Sequence, residues 1–421
     1  MDERWQAIPL RWRRVLPFAV ATAVFLAMSA LYVAGQRGLY DTILRTWGIE
    51  PYAFAFLDTD TVMSAVRCLR RGVDVFVVNP CDVLGRVYDY SPLWLLLARL
   101  PVTDAWTMPA GFVVDAAFLL SLLLLPVARG RAECCFILLG LLSPGVVFAV
   151  ERGNNDLVLF VLAAIAATLA CRTPALRLLG YAAALLAGLL KYYPMLLMIL
   201  ATRERPARFW AVTAASVAVL LLFLAVMGHD LVRALRLIPV GSWFGDMFGS
   251  STAAGGLAAI LGWSDPVRHM VQAAMTLAAW AIGLWIGLRR GIAEALARLS
   301  DAERMALLAG SALIIACFFT AQNIGYRVTH LVLVLPALTA LWRLDRRRVW
   351  AWATGAAIAL LWSQNWGSLP RELWTSTIQG LGTWLVRETL WWGLVTLLIA
   401  LTVSLTASST MGRIVLRRAP V

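Results

Sequence analysis

The sequence predicts an all-α polytopic membrane protein, a bundle of about ten to twelve transmembrane or re-entrant helices with a long first extracytoplasmic loop. Three observations carry that expectation. Apolar residues make up 61% of the 421 positions and charged residues 14%, with a mean hydropathy of +0.76, against about one half and one quarter in soluble domains. Apolar runs near the roughly 20 residues that cross a hydrocarbon core recur along the whole chain. Cations gather in the short connections between those runs, and all but one of them are arginine: 36 arginines stand against the single lysine, Lys191. The composition excludes a disordered chain, a collagen and a disulfide scaffold, because six cysteines cannot staple a chain of this length. A net charge of +13 would otherwise point to nucleic acid or anionic lipid. No nucleic-acid motif or basic stripe accompanies it, so no nucleic-acid partner is expected.

In chain order, spans are expected at 15–35, 107–128, 133–150, 155–171, 207–227, 268–288, 304–321, 328–343, 347–363 and 388–408. The first follows Arg4, Arg11, Arg13 and Arg14 and is too long for a cleaved signal core, so it reads as a signal-anchor. Cleavage near Ser29-Ala30 is the alternative. Between 171 and 203 an apolar stretch is interrupted by Lys191-Tyr192-Tyr193-Pro194. Its arms look too short to cross separately, so a hairpin or re-entrant pair is expected, and broken helices at membrane depth line cavities rather than face lipid.

Arginine placement sets the orientation. With the N-terminus cytoplasmic, 22 of the 36 arginines fall on cytoplasmic segments, chiefly at 129–131, 172–177, 203–208, 289–304 and 343–348. The basic excess is then a topology signal. A multi-pass protein of the cytoplasmic (inner) membrane is expected, its working face toward the periplasm or exterior. The whole chain, 1–421, reads as one integral membrane domain with extracytoplasmic loops at 36–90, 228–267 and 364–387, and a small polar cytoplasmic helix at 289–304.

Loop 36–90 carries a helix from Asp60 to Arg71, with Val62, Ala65, Val66 and Leu69 on one face and Gly72 ending it. Asn79-Pro80 and Gly85 read as turns. Cys68 and Cys81 are read as free thiols, with pairing in an oxidising compartment as the alternative. Cys134, Cys135, Cys171 and Cys317 read as packing residues. The 19 tryptophans cluster partly at loops, Trp384 and Trp391 among those; interfacial belts account for most of them, and a few on the outer loops could stack on a sugar face or a polyprenyl chain.

Ionisable groups at membrane depth require a partner or a role. Asp58-Thr59-Asp60 begins the loop helix, where a carboxylate serves either as a general base or cation ligand, or as a helix cap. Glu151-Arg152-Gly153-Asn154-Asn155-Asp156 packs polar side chains into one outer turn; capping and interfacial pairing stand beside substrate binding as readings. Lys191 suits a phosphate or carboxylate in a partly dry cavity, with snorkelling as the alternative. Asn323, Arg327 and His330 would share one helical face, Arg327 as a bidentate phosphate ligand with Tyr326 or His330 as hydrogen-bond donor beside it; an interfacial arginine and aromatic belt is the other reading. His229 and His269 read as isolated loop residues, and Asp115, halfway along a span, as a structural pair.

Together, an acid in a long first outer loop, Gly72-Val73-Asp74-Val75-Phe76, Tyr90-Ser91-Pro92, Glu151-Arg152-Gly153-Asn154, Lys191-x-x-Pro194 and Tyr326-Arg327 ahead of Leu335-Pro336 resemble the polytopic glycosyltransferases of family 87. That group belongs to the GT-C superfamily and includes polyprenol-phosphate-mannose-dependent mannosyltransferases. Val75, Phe76 and Ser91 stand where the family tends to have proline, tyrosine and proline. The resemblance spans roughly residues 50 to 340. It implies a GT-C-like bundle in which a polyprenyl-phosphate sugar, mannose-like by preference, enters from the outer leaflet. A hydroxyl of a glycolipid or glycan acceptor would attack its anomeric carbon with inversion. By analogy Asp58 is the base, lying 14 residues before Gly72, with Asp60 second. Arg327, Lys191 and Arg152 would hold the donor phosphate, and Glu151, Asn154, Asn155, Asn323, Tyr326 and His330 would bind substrate. No cofactor is expected, a divalent metal on Asp58 and Asp60 being the less favoured option. The rival class is a transporter or flippase of lipid-linked sugars, which would show paired broken helices in two repeats; this sequence has one broken element and no repeat. A non-catalytic scaffold does not explain charge concentrated at the outer ends of the spans.

Overall fold

Proline opens helix after helix in this chain, because its missing N–H is one of those a helix start leaves unbonded anyway. Pro144, Pro174, Pro206 and Pro266 all stand at such starts. The computed structural model describes residues 7–238, 240–245, 247–363 and 378–416. In order, its helices are α1 (Leu10–Val33), α2 (Arg37–Thr46), α3 (Leu57–Arg70), α4 (Thr107–Ser121), α5 (Arg131–Leu141), α6 (Pro144–Glu151), α7 (Asn155–Ala170), α8 (Pro174–Lys191) and α9 (Pro206–Arg236). There follow α10 (Ser250–Leu261), α11 (Asp265–Gly287), α12 (Arg290–Ala297), α13 (Asp301–Thr320), α14 (Leu335–Asp345), α15 (Arg348–Leu361), α16 (Ile378–Ala407) and α17 (Thr410–Leu416). Longer 3-10 segments run at Pro92–Arg99, Tyr193–Arg203 and Gly325–Leu333. The two-residue strands β1 (Met247–Phe248) and β2 (Asn323–Ile324) pair antiparallel, Met247 opposite Ile324 and Phe248 opposite Asn323.

The protein is an all-α, multi-pass membrane protein. Among the described residues seven helices are long and apolar enough to cross a membrane, or up to nine if two bent pairs each count as one span. Those pairs are α5 with α6, bent by 45°, and the 325–333 segment with α14, bent by 50°. This is fewer than the ten to twelve segments expected. Part of the difference is that α7 and α15, counted as spans from their apolar runs, are only 16 and 14 residues long. At 1.5 Å per residue they reach about 24 and 21 Å, short of the roughly 30 Å hydrocarbon core. The hairpin expected over 171–203 is present, but its first arm, α8, is itself an 18-residue candidate span. The loop at 228–267 is largely helical, since α9 runs on to Arg236 and α10 fills 250–261; His229 and His269 therefore sit in helices. Of the loop at 364–387, positions 364–377 lie outside the described residues, and the rest begins α16.

α13 is the central staff, 83% buried along its span, while α1 and α9 are only 11% and 6% buried and face lipid. Lipid is as apolar as leucine, so helices associate here through close packing rather than the hydrophobic effect. Gly310 of α13 meets Leu333 and Val334, and Gly145 of α6 meets Val328, which lets the 325–333 segment lie tightly between them. Aromatics share that duty: Trp384 and Trp391, both 1% exposed, are core residues rather than belt residues, and Trp391 stacks on Phe248 at 4.2 Å.

Arginine and acid pair at one end of the bundle. Arg129 meets Glu303, Arg343 meets Glu133, Arg177 meets Glu204, Arg203 meets Asp301 and Arg298 meets Asp345, at 2.5–3.5 Å. Ser300 and Glu303 close a capping box at the start of α13 there. The other ends of α8 and α13 lead into Lys191 and Asn323, and the polar residues singled out in the sequence collect at that opposite end.

Candidate functional site

The long loop after α1 is folded against the bundle, not spread over it. Its helix α3 spans Leu57–Arg70, with Val62, Ala65 and Val66 buried as expected and Leu69 exposed at the edge. Gly72, at φ +79°, ends it. Cys68 and Cys81 form a disulfide with Cα atoms 5.8 Å apart, correcting the reading as free thiols; a sequence separation of 13 had given no geometry to decide it. Asp74, from the Gly72–Phe76 motif, accepts from Arg233 of α9 at 2.5 Å and from the Phe76 backbone at 3.2 Å. The motif thus docks the loop. Arg233's hydrogen bond, opposed by slight burial, holds the Asp74 carboxyl below its ordinary value.

α3 begins on the 151–156 turn. Its first amides have no side-chain cap; Phe56 N–H donates to Glu151 O at 3.1 Å and Asp58 N–H to Arg152 O at 3.0 Å, while Thr59 Oγ1 donates to Gly153 O at 2.7 Å. Asp58 and Asp60 are therefore not caps, which frees both carboxylates for other partners. Phe56, at φ +59°, and Gly153, at φ +52°, make the sharp corner where the two segments meet.

Asp58 is 3% exposed. Its Oδ2 accepts from Asn154 Nδ2 at 2.5 Å, and its Oδ1 faces Arg152 at 3.6 Å and Arg86 at 3.8 Å. Arg86 is braced by Asp82 at 2.9 Å and by Leu57 O at 3.0 Å. Burial pushes the Asp82 carboxyl up, but the bonds from Arg86 outweigh it and hold it below the usual carboxylate range. Asp60 points elsewhere, to Thr107 at 3.0 Å and Arg67 at 3.5 Å. Residues two apart on a helix face different ways, so the two acids do not converge on one cation.

A second cluster centres on Asp156, fully buried at the start of α7. Lys191 Nζ lies 2.6 Å from its Oδ2, Tyr193 donates to its Oδ1 at 2.5 Å, and Arg327 and His330 approach at 3.5 and 3.7 Å. Tyr193 also meets His330 Nε2 at 2.8 Å. The chain break after α8 makes this possible: Tyr192 stands at φ +38°, a strained turn that sends both Lys191 and Tyr193 toward Asp156. The expected helical face through Asn323, Arg327 and His330 is not formed. Asn323 belongs to β2, where its amide donates to Cys317 O and Ala321 O and its Oδ1 accepts from Arg327. Arg327 and His330 still align, because three residues make one turn of a 3-10 helix.

Asn154 joins the two clusters. Its amide donates to Asp58 while its Oδ1 accepts from the Asp156 backbone N–H at 2.8 Å. Over the junction lie the Tyr90 and Tyr326 rings, 5.5 and 5.9 Å from Lys191 Nζ. Ser91 fixes Tyr90 there by donating to Leu189 O at 2.7 Å. Burial pushes the neighbouring Asp89 carboxyl above its ordinary value, against the pull of Lys191.

The structure thus brings together Asp58, Arg152, Asn154, Lys191, Tyr326, Arg327 and His330. Asn155 is buried beside them, its Nδ2 without a hydrogen-bond partner among the described residues. Glu151 is not part of the group: it lines an apolar cavity on the other side of the turn. Sequence reading missed Asp156 as the hub, with Tyr193, Arg86 and Tyr90 around it. Tyr193 was visible in the break beside Lys191, and Tyr90 in its motif, but Arg86 carried no signal. Asp115 pairs with no other group among the described residues, contrary to expectation.

The cations keep a little exposure, 30% for Arg86, 16% for Arg327, 12% for Arg152 and 11% for Lys191. Asp156 holds both Lys191 and Arg327, so one positive charge in that trio is uncompensated. The arrangement can bind an anion beside a buried carboxylate. Comparison with protein-family models, curated proteins and solved structures found no match for this chain.

Proposed function

We propose that the protein is an inverting glycosyltransferase that moves a sugar from a polyprenyl-phosphate donor to a hydroxyl of a glycolipid or glycan acceptor. One observation carries the reading: a buried carboxylate, Asp58, lies one asparagine away from a cation cluster with charge to spare. Such transfer needs a base for the acceptor hydroxyl and fixed positive charge for the leaving phosphate. Asp58 has carboxylate lone pairs beyond those its partners use. It takes the hydroxyl proton as the acceptor oxygen attacks the anomeric carbon, and the bond from that carbon to the phosphate oxygen breaks. Lys191, Arg327 and Arg152 stabilise the charge that develops on the departing phosphate, an interaction worth about 3 kcal/mol per well-placed donor. The arginine-paired end of the bundle is cytoplasmic by the positive-inside rule, which turns this site outward.

The test uses purified protein, a radiolabelled polyprenyl-phosphate mannose and lipid acceptors. Asp58→Asn is expected to lower transfer by about 10²-fold or more, the usual cost of a lost general base, with wild-type elution in size exclusion. Equal transfer by wild type and Asp58→Asn removes Asp58 as the base. No transfer by wild type from any polyprenyl-phosphate sugar removes the reading.

A further inference from the structure

A cavity of about 90 Å³ opens between α1, α2, α4 and α6, on the far side of the 151–156 turn from the site above. α1 supplies Ala21, Phe25, Met28 and Tyr32, spaced as one helical face. The walls are apolar and aromatic except for the carboxyls of Asp115 and Glu151 and the hydroxyls of Ser29, Tyr32 and Tyr40. Asp115 sits midway along α4 with no exposure, and neither of its carboxylate oxygens has a hydrogen-bond partner among the described residues. Glu151 is 7% exposed, and its Oε2 is equally unmatched. A carboxyl left without partners in an apolar interior is costly; Asp115 is one, and Glu151, bonded from the Tyr52 backbone through its other oxygen, lines the same cavity with Oε2 unmatched.

The unmatched atoms define the missing partner. The three orphaned polar atoms on the cavity wall, Asp115 Oδ1 and Oδ2 and Glu151 Oε2, are acceptors only when the two carboxyls are ionised. The Tyr32 hydroxyl already accepts from Ala55 N–H at 3.1 Å. Arg37 stacks over the Tyr32 and Tyr40 rings at 4.5 and 5.3 Å, donates to Tyr52 O at 2.8 Å and pairs with Asp41 at 3.7 Å; its Nη1 has no hydrogen-bond partner among the described residues, but the residue lies outside the cavity wall. A hydroxyl offers one donor and an amide two, whereas a primary ammonium offers three donors and a charge of the right sign. Aromatic faces such as Tyr40 and Phe112 attract a cation further, and the remaining apolar wall accommodates an alkyl chain.

We propose that this cavity binds an amphiphile with a primary ammonium head on an apolar chain, the ammonium donating to Asp115 and Glu151. The inference does not rest on sugar transfer and stands or falls separately from it.

Full-length protein in a neutral maltoside detergent is titrated calorimetrically with dodecylamine, dodecanol and sodium chloride. The expected result is one equivalent of dodecylamine bound at least tenfold more tightly than dodecanol. Asp115→Asn weakens it at least tenfold, and Ser29→Phe, which fills the cavity and leaves both carboxyls in place, does likewise. Dodecanol binding as tightly as dodecylamine makes the cavity a plain apolar slot and overturns the proposal. So does competition by sodium without dependence on chain length, which marks an inorganic cation site, or unchanged affinity in both variants.

Discussion

Asp156 is the residue whose loss the structure makes most expensive. Asp156→Asn keeps the side-chain shape and an oxygen for Tyr193, but it removes the only carboxylate within 4 Å of either Lys191 or Arg327 among the described residues. Asp156 has no exposure, Lys191 11% and Arg327 16%, so water replaces little of what is lost. Breaking a buried pair from one side costs about 3–5 kcal/mol, because the partner stays behind uncompensated. At about 2 °C per kcal/mol in a long chain, the thermal midpoint falls by roughly 6–10 °C, read by tryptophan fluorescence in neutral detergent. Lys191→Met alone is expected to cost less, since Arg327 retains Asp156. Adding Lys191→Met to Asp156→Asn should recover part of the loss, because it removes one of the two stranded cations. A midpoint for Asp156→Asn within about 1 °C of wild type, or a double variant worse than the sum of the singles, would refute the argument that this carboxylate neutralises the cluster.

Three further outcomes follow from the loop and its dock. Mass spectrometry without reductant should find Cys68 and Cys81 protected from alkylation, and the double serine variant should lose about 3 kcal/mol of stability from a loop of this size; two alkylated thiols contradict the disulfide. Gly153→Ala introduces a Cβ against Thr59 Oγ1 and the Phe56 ring at a left-handed φ of +52°, so it should cost about 1–3 kcal/mol and release α3, seen as faster proteolysis of the loop; wild-type protection means the turn tolerates a side chain. Asp74 has a folded pKa below its ordinary 3.8, so its bond to Arg233 stabilises the dock above that value and is lost as pH falls through the folded one. Pepsin cleavage within 71–90 should therefore rise only below about pH 4, and Asp74→Asn should abolish that rise; a wild-type profile that is flat or begins to climb near pH 6 speaks against it.

What the sequence disclosed followed the range of each signal. Apolar runs and arginine clusters are local, so the spans and the two unlike ends of the bundle were legible. So were Asp58, Lys191 and Arg327, because an ion between apolar residues stands out wherever its partner lies. Pairing was not legible. Asp156 looked like one more cap in a polar turn, and its role depends on Lys191, Tyr193 and His330 arriving from 35 to 174 positions away. The cap itself is Asn154, which leaves the next acid free to collect those partners. Helix type misled in the same way: 3.6-residue spacing put Asn323 with Arg327 and His330, whereas the 3-10 turn keeps the latter two together and a strand takes the first.

The two ends of the bundle explain why a chain with 36 arginines retains one lysine at the break. At the arginine end, cations are partly exposed and several meet an acid belonging to another segment, as Arg343 meets Glu133 and Arg203 meets Asp301; a planar fork serves such contacts well. At Lys191 the carboxylate is reached from inside, past the Tyr90 and Tyr326 rings, with Arg327 already occupying one side of Asp156. A second guanidinium there would need more donors satisfied than the buried surroundings offer, whereas an ammonium is compact, and its three donors turn freely. Lys191→Arg should therefore disturb the site despite conserving charge. The size of that disturbance separates a position chosen for geometry from one chosen for charge alone.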